Sequence, residues 1–255
     1  MSTTSIYAGL RGRPVLVTGA ATGIGRAIAL AFAGQGAPVG IIDRDAAGAE
    51  AVVAEIVQAG GQAMSSPADV ADIAALQQAI AAVAEALGPI RVLVNNAGND
   101  QRHDFASITP DYWDERMAIN LRHLAFAAQA VTPGMQAAGH GVILNLGSTS
   151  WMQGTAGLLA YGTAKAAIGG FTQCLARDLG PSGIRVMCIA PGRTMTERAT
   201  AGLTPAYIDQ TLERQAVKTL VQPEDIANLA LWLASDDAGI MTGQTIIADG
   251  GHMMR

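Results

Sequence analysis

Cysteine is nearly absent: Cys174 and Cys188 are the two in 255 residues. Two thiols cannot build a disulfide framework or a metal cluster, and both fall inside segments that read as helix or strand, so small buried thiols are expected and no metal site is. Charge is also sparse, at 15% of residues, with a net charge of −5 and no cluster of Lys and Arg. That excludes the electrostatic footprint of a nucleic-acid partner. No stretch approaches 18 uninterrupted apolar residues, so no membrane span is expected. The opening MSTTSIYAGLRGRP has no apolar leader core, which makes the cytoplasm the expected compartment. Low-complexity linkers, internal repeats and breaks in composition are missing too, so residues 1–255 are read as one domain.

What is present is alternation. Short β-type runs (PVLVTG, PVGIID, QAMSSP, RVLVNN, GVILNLGS, IRVMCIA, QTIIAD) are separated by longer Ala-rich runs such as GIGRAIALAFAGQG and DIAALQQAIAAVAEAL. Strands that are apolar throughout, each followed by a helix, predict an α/β fold with a parallel sheet covered on both faces. Gly36, Gly60–Gly61, Gly88–Pro89 and Gly180–Pro181 fall where those helices should stop. The segment from Arg193 to Val221 is the least regular and most polar of the second half.

The first strand ends in Thr18-Gly19-Ala20-Ala21-Thr22-Gly23-Ile24-Gly25 and runs into a helix. Glycines allow a tight turn and close approach of a pyrophosphate, and the helix N-terminus offers free N–H groups. The spacing G-x-x-x-G-x-G departs from the general dinucleotide fingerprint G-x-G-x-x-G, and a ligand-free strand–helix turn is the alternative. Asp43 ends the second strand, where a carboxylate accepts from ribose hydroxyls and repels a 2′-phosphate. That favours NAD over NADP, although Arg44 follows directly. Asp69-Val70, after the third strand, could hold an adenine edge. Asn95-Asn96-Ala97-Gly98 ends the fourth, with small residues where the chain should pass a ribose; a purely structural role for the asparagines is equally open.

Tyr161 and Lys165 lie four residues apart in a helical run and so share a face. A cation at roughly 4 Å in an effective dielectric near 20 is worth about 4 kcal/mol, up to ~3 pKa units on a phenol. Together with the positive charge of an oxidised nicotinamide, this could bring Tyr161 to the range of a general acid/base. Ser148, just after GVILNLG, should present its hydroxyl at the carboxyl ends of the strands, with Ser150 as the nearest decoy. Asn120 sits mid-helix in DYWDERMAINLRHLAFAAQAVTPGM, a poor position for Asn, which points to a task such as holding a water that links Lys165 to solvent.

These residues resemble the short-chain dehydrogenase/reductase family over essentially the whole chain: TGAATGIG, Asp69-Val70, NNAG, Asn120, Ser148, YGTAK, Pro191-Gly192 with Thr196, and TGQTIIADGG occur in the family's order. The resemblance implies a seven-stranded, doubly wound Rossmann-type sheet and a catalytic tetrad of Asn120, Ser148, Tyr161 and Lys165. Residues 1–100 would serve mainly the cofactor and 101–255 mainly catalysis and substrate. It implies that Tyr161 and Lys165 also meet the cofactor, Lys165 at the nicotinamide ribose, and that the backbone from Pro191 through Gly192 and Thr194 to Thr196 closes over the nicotinamide. A homotetramer through residues 111–138, 160–179 and the last strand is implied as well. Gly147 departs from the Ser common at that place, and Thr194 from the usual Val or Ile.

The polar loop Asn99-Asp100-Gln101-Arg102-His103-Asp104 suits a polyhydroxylated substrate, with Trp151 as an apolar wall, Gln153 as a hydrogen-bonding partner and Asn99 as a further contact, while Arg102, Arg193 or His103 could supply the cation that an anionic substrate would want. A solvated loop is the alternative. NNAGNDQRH, YWDERMAINLRH and LGSTSW are similar to bacterial sugar dehydrogenases of this family, of the D-xylose and L-arabinose type, which implies NAD-dependent oxidation of a pentose or 6-deoxyhexose at C1 to a lactone. Oxidation of a secondary hydroxyl of a 2-keto-3-deoxy sugar acid, reduction of a 3-oxoacyl thioester, and a non-catalytic NAD-binding regulator are the competing readings.

Overall fold

The computed structural model describes residues 5–201 and 203–254; the first four residues of the amino-terminal stretch read above lie outside it. Seven strands form one parallel sheet: β1 (Val15–Thr18), β2 (Val39–Ile42), β3 (Ala63–Ser65), β4 (Val92–Asn95), β5 (Gly141–Leu146), β6 (Ile184–Pro191) and β7 (Thr245–Ala248). Their order is β3-β2-β1-β4-β5-β6-β7 and every pairing is parallel. After β3 the chain returns to the other side of β1, so the order reverses between β1 and β4. The carboxyl ends of those two strands border the crevice such sheets use for ligands.

Because side chains alternate across a strand, a run buried on both faces feeds two cores. Val15, Val17, Val39, Ile41, Val92 and Val94 pack with Ile28 and Phe32 of α1 (Gly23–Gly34) and Ile226 and Leu231 of α9 (Pro223–Ala234). Leu16, Ile42, Leu93 and Ile143 meet Leu76 and Val83 of α3 (Ile73–Leu87) and Val131 and Met135 of α5 (His123–Ala137). Each such side chain, fully buried, contributes roughly 1.5–3 kcal/mol. Helix α2 (Ala46–Gln58) starts on an Asp45 cap and α3 on an Asp72 cap.

Three details differ from the sequence reading. The third strand is only Ala63–Ser65. The long helix expected around Asn120 is α4 (Pro110–Met117), a π turn at Ala118–Arg122, then α5. Within 193–221 two short helices form, α7 (Glu197–Thr200) and α8 (Pro205–Arg214), each started by a threonine cap, Thr196 and Thr204. The long α6 (Leu159–Leu179) carries Tyr161 and Lys165 in its first two turns.

Candidate active site

The Gly-rich turn is built for close approach. Gly19 has φ +67°, a conformation that favours glycine, and a Cβ there would stand 2.7 Å from the Ala97 Cα. A Cβ on Gly25 would collide with the Gly19 carbonyl and the Asn96 amide. Asn96 donates to the carbonyls of Thr18 (3.0 Å) and Gly19 (2.7 Å), while the Thr18 hydroxyl accepts from the backbone N–H groups of Asn96 and Ala97. The end of β4 is thereby stapled to the turn after β1. Asp43 is equally committed: its carboxylate accepts from the Ala21 N–H at 2.9 Å and the Asp45 N–H at 3.0 Å. Asp69 accepts from the Ala71 N–H at 2.8 Å, with Val70 between them.

Gly19, Gly25, Asp43, Asp69, Val70 and Asn96 line one cleft of about 1160 Å³, which also takes in Ile24, Ala97, Gly98, Pro191, Gly192, Thr194, Thr196, Ser148, Tyr161 and Lys165. That volume exceeds what a single small ligand needs and leaves room for a dinucleotide beside a small substrate. Thr196 folds across the mouth of the turn, since a Cβ on Gly23 would lie 3.0 Å from the Thr196 methyl. Thr194 is pinned behind it by a short parallel bridge to Val221. The glycine cradle, the free start of α1 and the carboxylate at the end of β2 together fit a nicotinamide dinucleotide.

Ser148 follows β5 between two ladder bonds, Gly147 N–H to the Ile189 carbonyl (2.7 Å) and Thr149 N–H to the Pro191 carbonyl (3.1 Å), which fix it at the sheet edge. Its Oγ lies 3.0 Å from the Ser150 Oγ and near enough to the Tyr161 phenol to favour the ionised form. Lys165 is buried, donates to the Leu146 carbonyl at 2.7 Å, and holds its Nζ 5.7 Å from the centre of the Tyr161 ring. Asn120 occupies the π turn with both polar atoms of its amide engaged: Nδ2 donates to the carbonyls of Asn99 and Arg116, and Oδ1 accepts from the Asn99 N–H at 2.8 Å. A π turn at a functional position is a recurrent device for aiming one side chain.

Burial sets the electrostatics of the pair. Burial pushes the Tyr161 phenol up to about 12, against the Ser148 hydroxyl. Burial likewise brings Lys165 down to about 8. At 5.7 Å from the ring, a partly desolvated ammonium does not by itself bring the phenol to neutrality. The chain holds Tyr161 protonated until further positive charge or a substrate oxygen enters.

Around the rim, Asn99, Arg102, Gln153 and Arg193 line the cleft, whereas His103 and Trp151 do not. The His103 Nδ1 lies 2.6 Å from the Tyr112 hydroxyl, and Trp151 stands against Gly162 at the start of α6. Arg102 donates to the Ala156 carbonyl at 2.7 Å, and Arg193 donates to the Tyr207 hydroxyl while its guanidinium stacks 4.2 Å from that ring. Arg198 and Asp100 form a 2.5 Å ion pair across the mouth, joining α7 to the loop after β4. Sequence reasoning passed over Arg198 and Tyr207, and it named Asp100 and Thr18 within the polar loop and the Gly-rich turn without giving either a role of its own. Their positions depend on which loops meet, and only the Thr18 that opens the TGAATGIG run carried a signal that could have been read.

Among the described residues no helix is long and apolar enough to cross a membrane. Residues 19–253 match the family described as enoyl-(acyl carrier protein) reductase. The chain is 43% identical over 247 residues to a D-xylose 1-dehydrogenase of Caulobacter vibrioides, covering 97% of this chain and 98% of that one. To the "probable galactose dehydrogenase" of Rhizobium meliloti it is 42% identical over 249 residues, covering 97% of each. Among solved structures, a short-chain dehydrogenase of Burkholderia cenocepacia in complex with NADP superposes with a TM-score of 0.86 at 37% identity, covering 96% of this chain and 99% of that one. A 7α-hydroxysteroid dehydrogenase complexed with NADH and a 7-oxo bile acid does so at 0.91 and 34%, covering 96% of each. The chain belongs to the short-chain dehydrogenase/reductase family and is an oxidoreductase, with sugar dehydrogenases among its relatives and a nicotinamide cofactor in its structural neighbours.

Proposed function

We propose that this protein oxidises an aldose, a pentose or 6-deoxyhexose, at C1 to the lactone with NAD. The observation that carries the reading is the convergence of Ser148, Tyr161 and Lys165 on one wall of the dinucleotide cleft, beneath a rim of hydrogen-bonding groups. In this reading the Ser148 hydroxyl holds the C1 oxygen in line with the Tyr161 phenol. Tyr161 takes the hydroxyl proton as the C–H bond breaks, and the charge of Lys165 supports the phenolate. A bound oxidised nicotinamide supplies the acceptor for the two electrons and adds positive charge beside the phenol. Asn120 keeps the loop after NNAG in place through both polar atoms of its amide.

Two observations support the finer points. Asp43 places a fixed negative charge at the end of β2, where a 2′-phosphate would lie, which favours NAD. A neutral sugar is favoured over a sugar acid because the three arginines on the catalytic side of the cleft are engaged, leaving only Arg44 at the cofactor end: Arg198 is paired with Asp100, Arg102 is bonded to the Ala156 carbonyl and Arg193 is stacked on Tyr207. The names of the D-xylose and galactose dehydrogenase relatives point the same way. A homotetramer and a place in sugar breakdown inside the cytoplasm belong to this proposal.

The test is to follow NADH absorbance with NAD and a panel of D-xylose, L-arabinose, L-fucose and D-galactose, with NADP, a 2-keto-3-deoxy sugar acid and a 3-oxoacyl thioester as comparisons. Reduced-cofactor formation with D-xylose, L-arabinose or L-fucose, faster with NAD than with NADP, is expected, and turnover of D-galactose alone would overturn the pentose or 6-deoxyhexose assignment. Silence across the aldoses with turnover of the acid or the thioester would overturn the reading.

A further inference from the structure

His123 opens α5 directly after the π turn, is fully buried, and has no aligned hydrogen-bond partner for either ring nitrogen. An orphaned polar group of this kind costs stability unless a partner or a water serves it. Desolvation and the nearby Lys165 charge bring its pKa down to about 3, although the backbone of Ala97 and Ile119 lies close enough to favour the charged form. The ring is therefore neutral at any working pH, with one N–H donor and one lone pair. A backbone carbonyl of Ala97 or Ile119 can take the donor. Neither can serve the lone pair, which needs a donor of its own.

Lys165 is the cation whose field reaches His123. One of its three N–H groups goes to the Leu146 carbonyl, leaving donors over. Its place relative to the histidine follows from Gly98, the residue after Ala97: a Cβ built there would be 3.3 Å from the Lys165 Nζ and 3.2 Å from the Asn120 Oδ1. The ammonium thus sits on the same Ala97–Gly98 turn that His123 abuts. The Asn120 amide is spent on Asn99 and Arg116 and offers the lone pair nothing. The other ionisable groups acting on Lys165 are Cys188 from β6 and Asp100 from the loop after β4, with the Tyr161 ring above it on α6.

We propose that His123 is a positioning residue that presents the lone pair of its neutral imidazole to the Lys165 ammonium across one buried water, and so helps to hold Lys165 charged beneath Tyr161. The consequence rests on the reading of Tyr161 and Lys165 as the acid/base pair. The contact itself does not.

The chain has two lysines, Lys165 and Lys218, so protein labelled with ¹⁵N-lysine gives two Nζ resonances, assigned with Lys218→Arg. A hydrogen bond to a charged group is strong enough that losing it should lower the Lys165 titration midpoint by about one pH unit or more in His123→Leu. At least one of His123→Asn and His123→Gln, which keep an acceptor, should titrate like the wild type. A folded His123→Leu with an unchanged Lys165 midpoint overturns the proposal. Should that variant not fold, a lowered midpoint in both the Asn and the Gln variants overturns it. Turnover of the aldose panel is scored separately, so an inactive wild type whose Lys165 still responds to His123 would sink the functional reading and leave this contact standing.

Discussion

Gly147 immediately precedes Ser148, and an added Cβ there would lie 2.8 Å from the Cys188 Sγ, 3.4 Å from the Ile189 carbonyl and 3.6 Å from the Ala190 Cβ. Its φ is outside the left-handed region, so Gly147→Ala carries no backbone penalty and the sulfur alone decides the outcome. An ordinary contact needs about 3.6 Å, so something must move by roughly 0.8 Å. Cys188 is buried in β6 and its thiol is held by Thr245, which resists rotation. If the β5 end yields instead, Ser148 moves by a large part of that distance. Overpacking of this kind costs typically 1–3 kcal/mol, or about 2–12 °C of melting temperature for a domain of this size. A misplacement approaching 1 Å can cost on the order of 10²-fold in rate. We therefore expect Gly147→Ala to melt several degrees lower and to lose about tenfold to a hundredfold in kcat with its aldose. The double variant Gly147→Ala/Cys188→Ala should recover most of both losses, because the sulfur is gone. The assays are thermal melting and initial-rate NADH formation. A single variant with wild-type melting and kcat, or a double variant no better than the single, refutes the steric account and leaves Gly147 unexplained.

Acid should destabilise the fold through His123. The unfolded histidine binds a proton below about pH 6.5, whereas the folded one does so only near pH 3, so between those values the unfolded state binds more protons and stability falls as pH falls. From pH 6.5 to 5 that amounts to about 2 kcal/mol; denaturant melts at the two pH values should show a loss smaller by about that much in His123→Leu, and equal losses would contradict it. At the cofactor end, Asp43→Ser removes a charge that repels a 2′-phosphate by up to about 4 kcal/mol at 4 Å, so the NADP:NAD ratio of kcat/KM should rise at least about tenfold. The same change frees the Ala21 and Asp45 N–H groups, so a modest drop in melting temperature should accompany it. An unchanged ratio would remove Asp43 from cofactor choice.

The sheet was legible in the sequence because a strand buried on both faces must be apolar throughout, and Val15–Thr18 or Val92–Asn95 can scarcely be read otherwise. Tyr161 and Lys165 were legible because four-residue spacing fixes a shared helix face. Distances across the sheet were not. That the Cys188 thiol fills the space beside Gly147 depends on the register of β5 against β6, which pairs Asn145 with Cys188 and Leu146 with Ile189. One part of the rim was not legible for a similar reason. His103 reads as a substrate contact beside Arg102, yet it turns to Tyr112, eleven residues from the Gln101 carbonyl that the same hydroxyl reaches. Asp100 and Arg198 are 98 residues apart and meet only because α7 folds over the cleft. How far burial raises the Tyr161 phenol was not legible, because composition carries no measure of desolvation.

Tyr161→Phe removes one oxygen and leaves the ring, the cleft and Lys165 in place. Titrating NAD into this variant and measuring its kcat side by side with the wild type tests the central claim most directly. If Tyr161 carries the proton, kcat should fall by about 10²–10⁴-fold while NAD binds nearly as tightly as before. Wild-type turnover without the phenol, or a loss of NAD binding that matches the loss of rate, would contradict it.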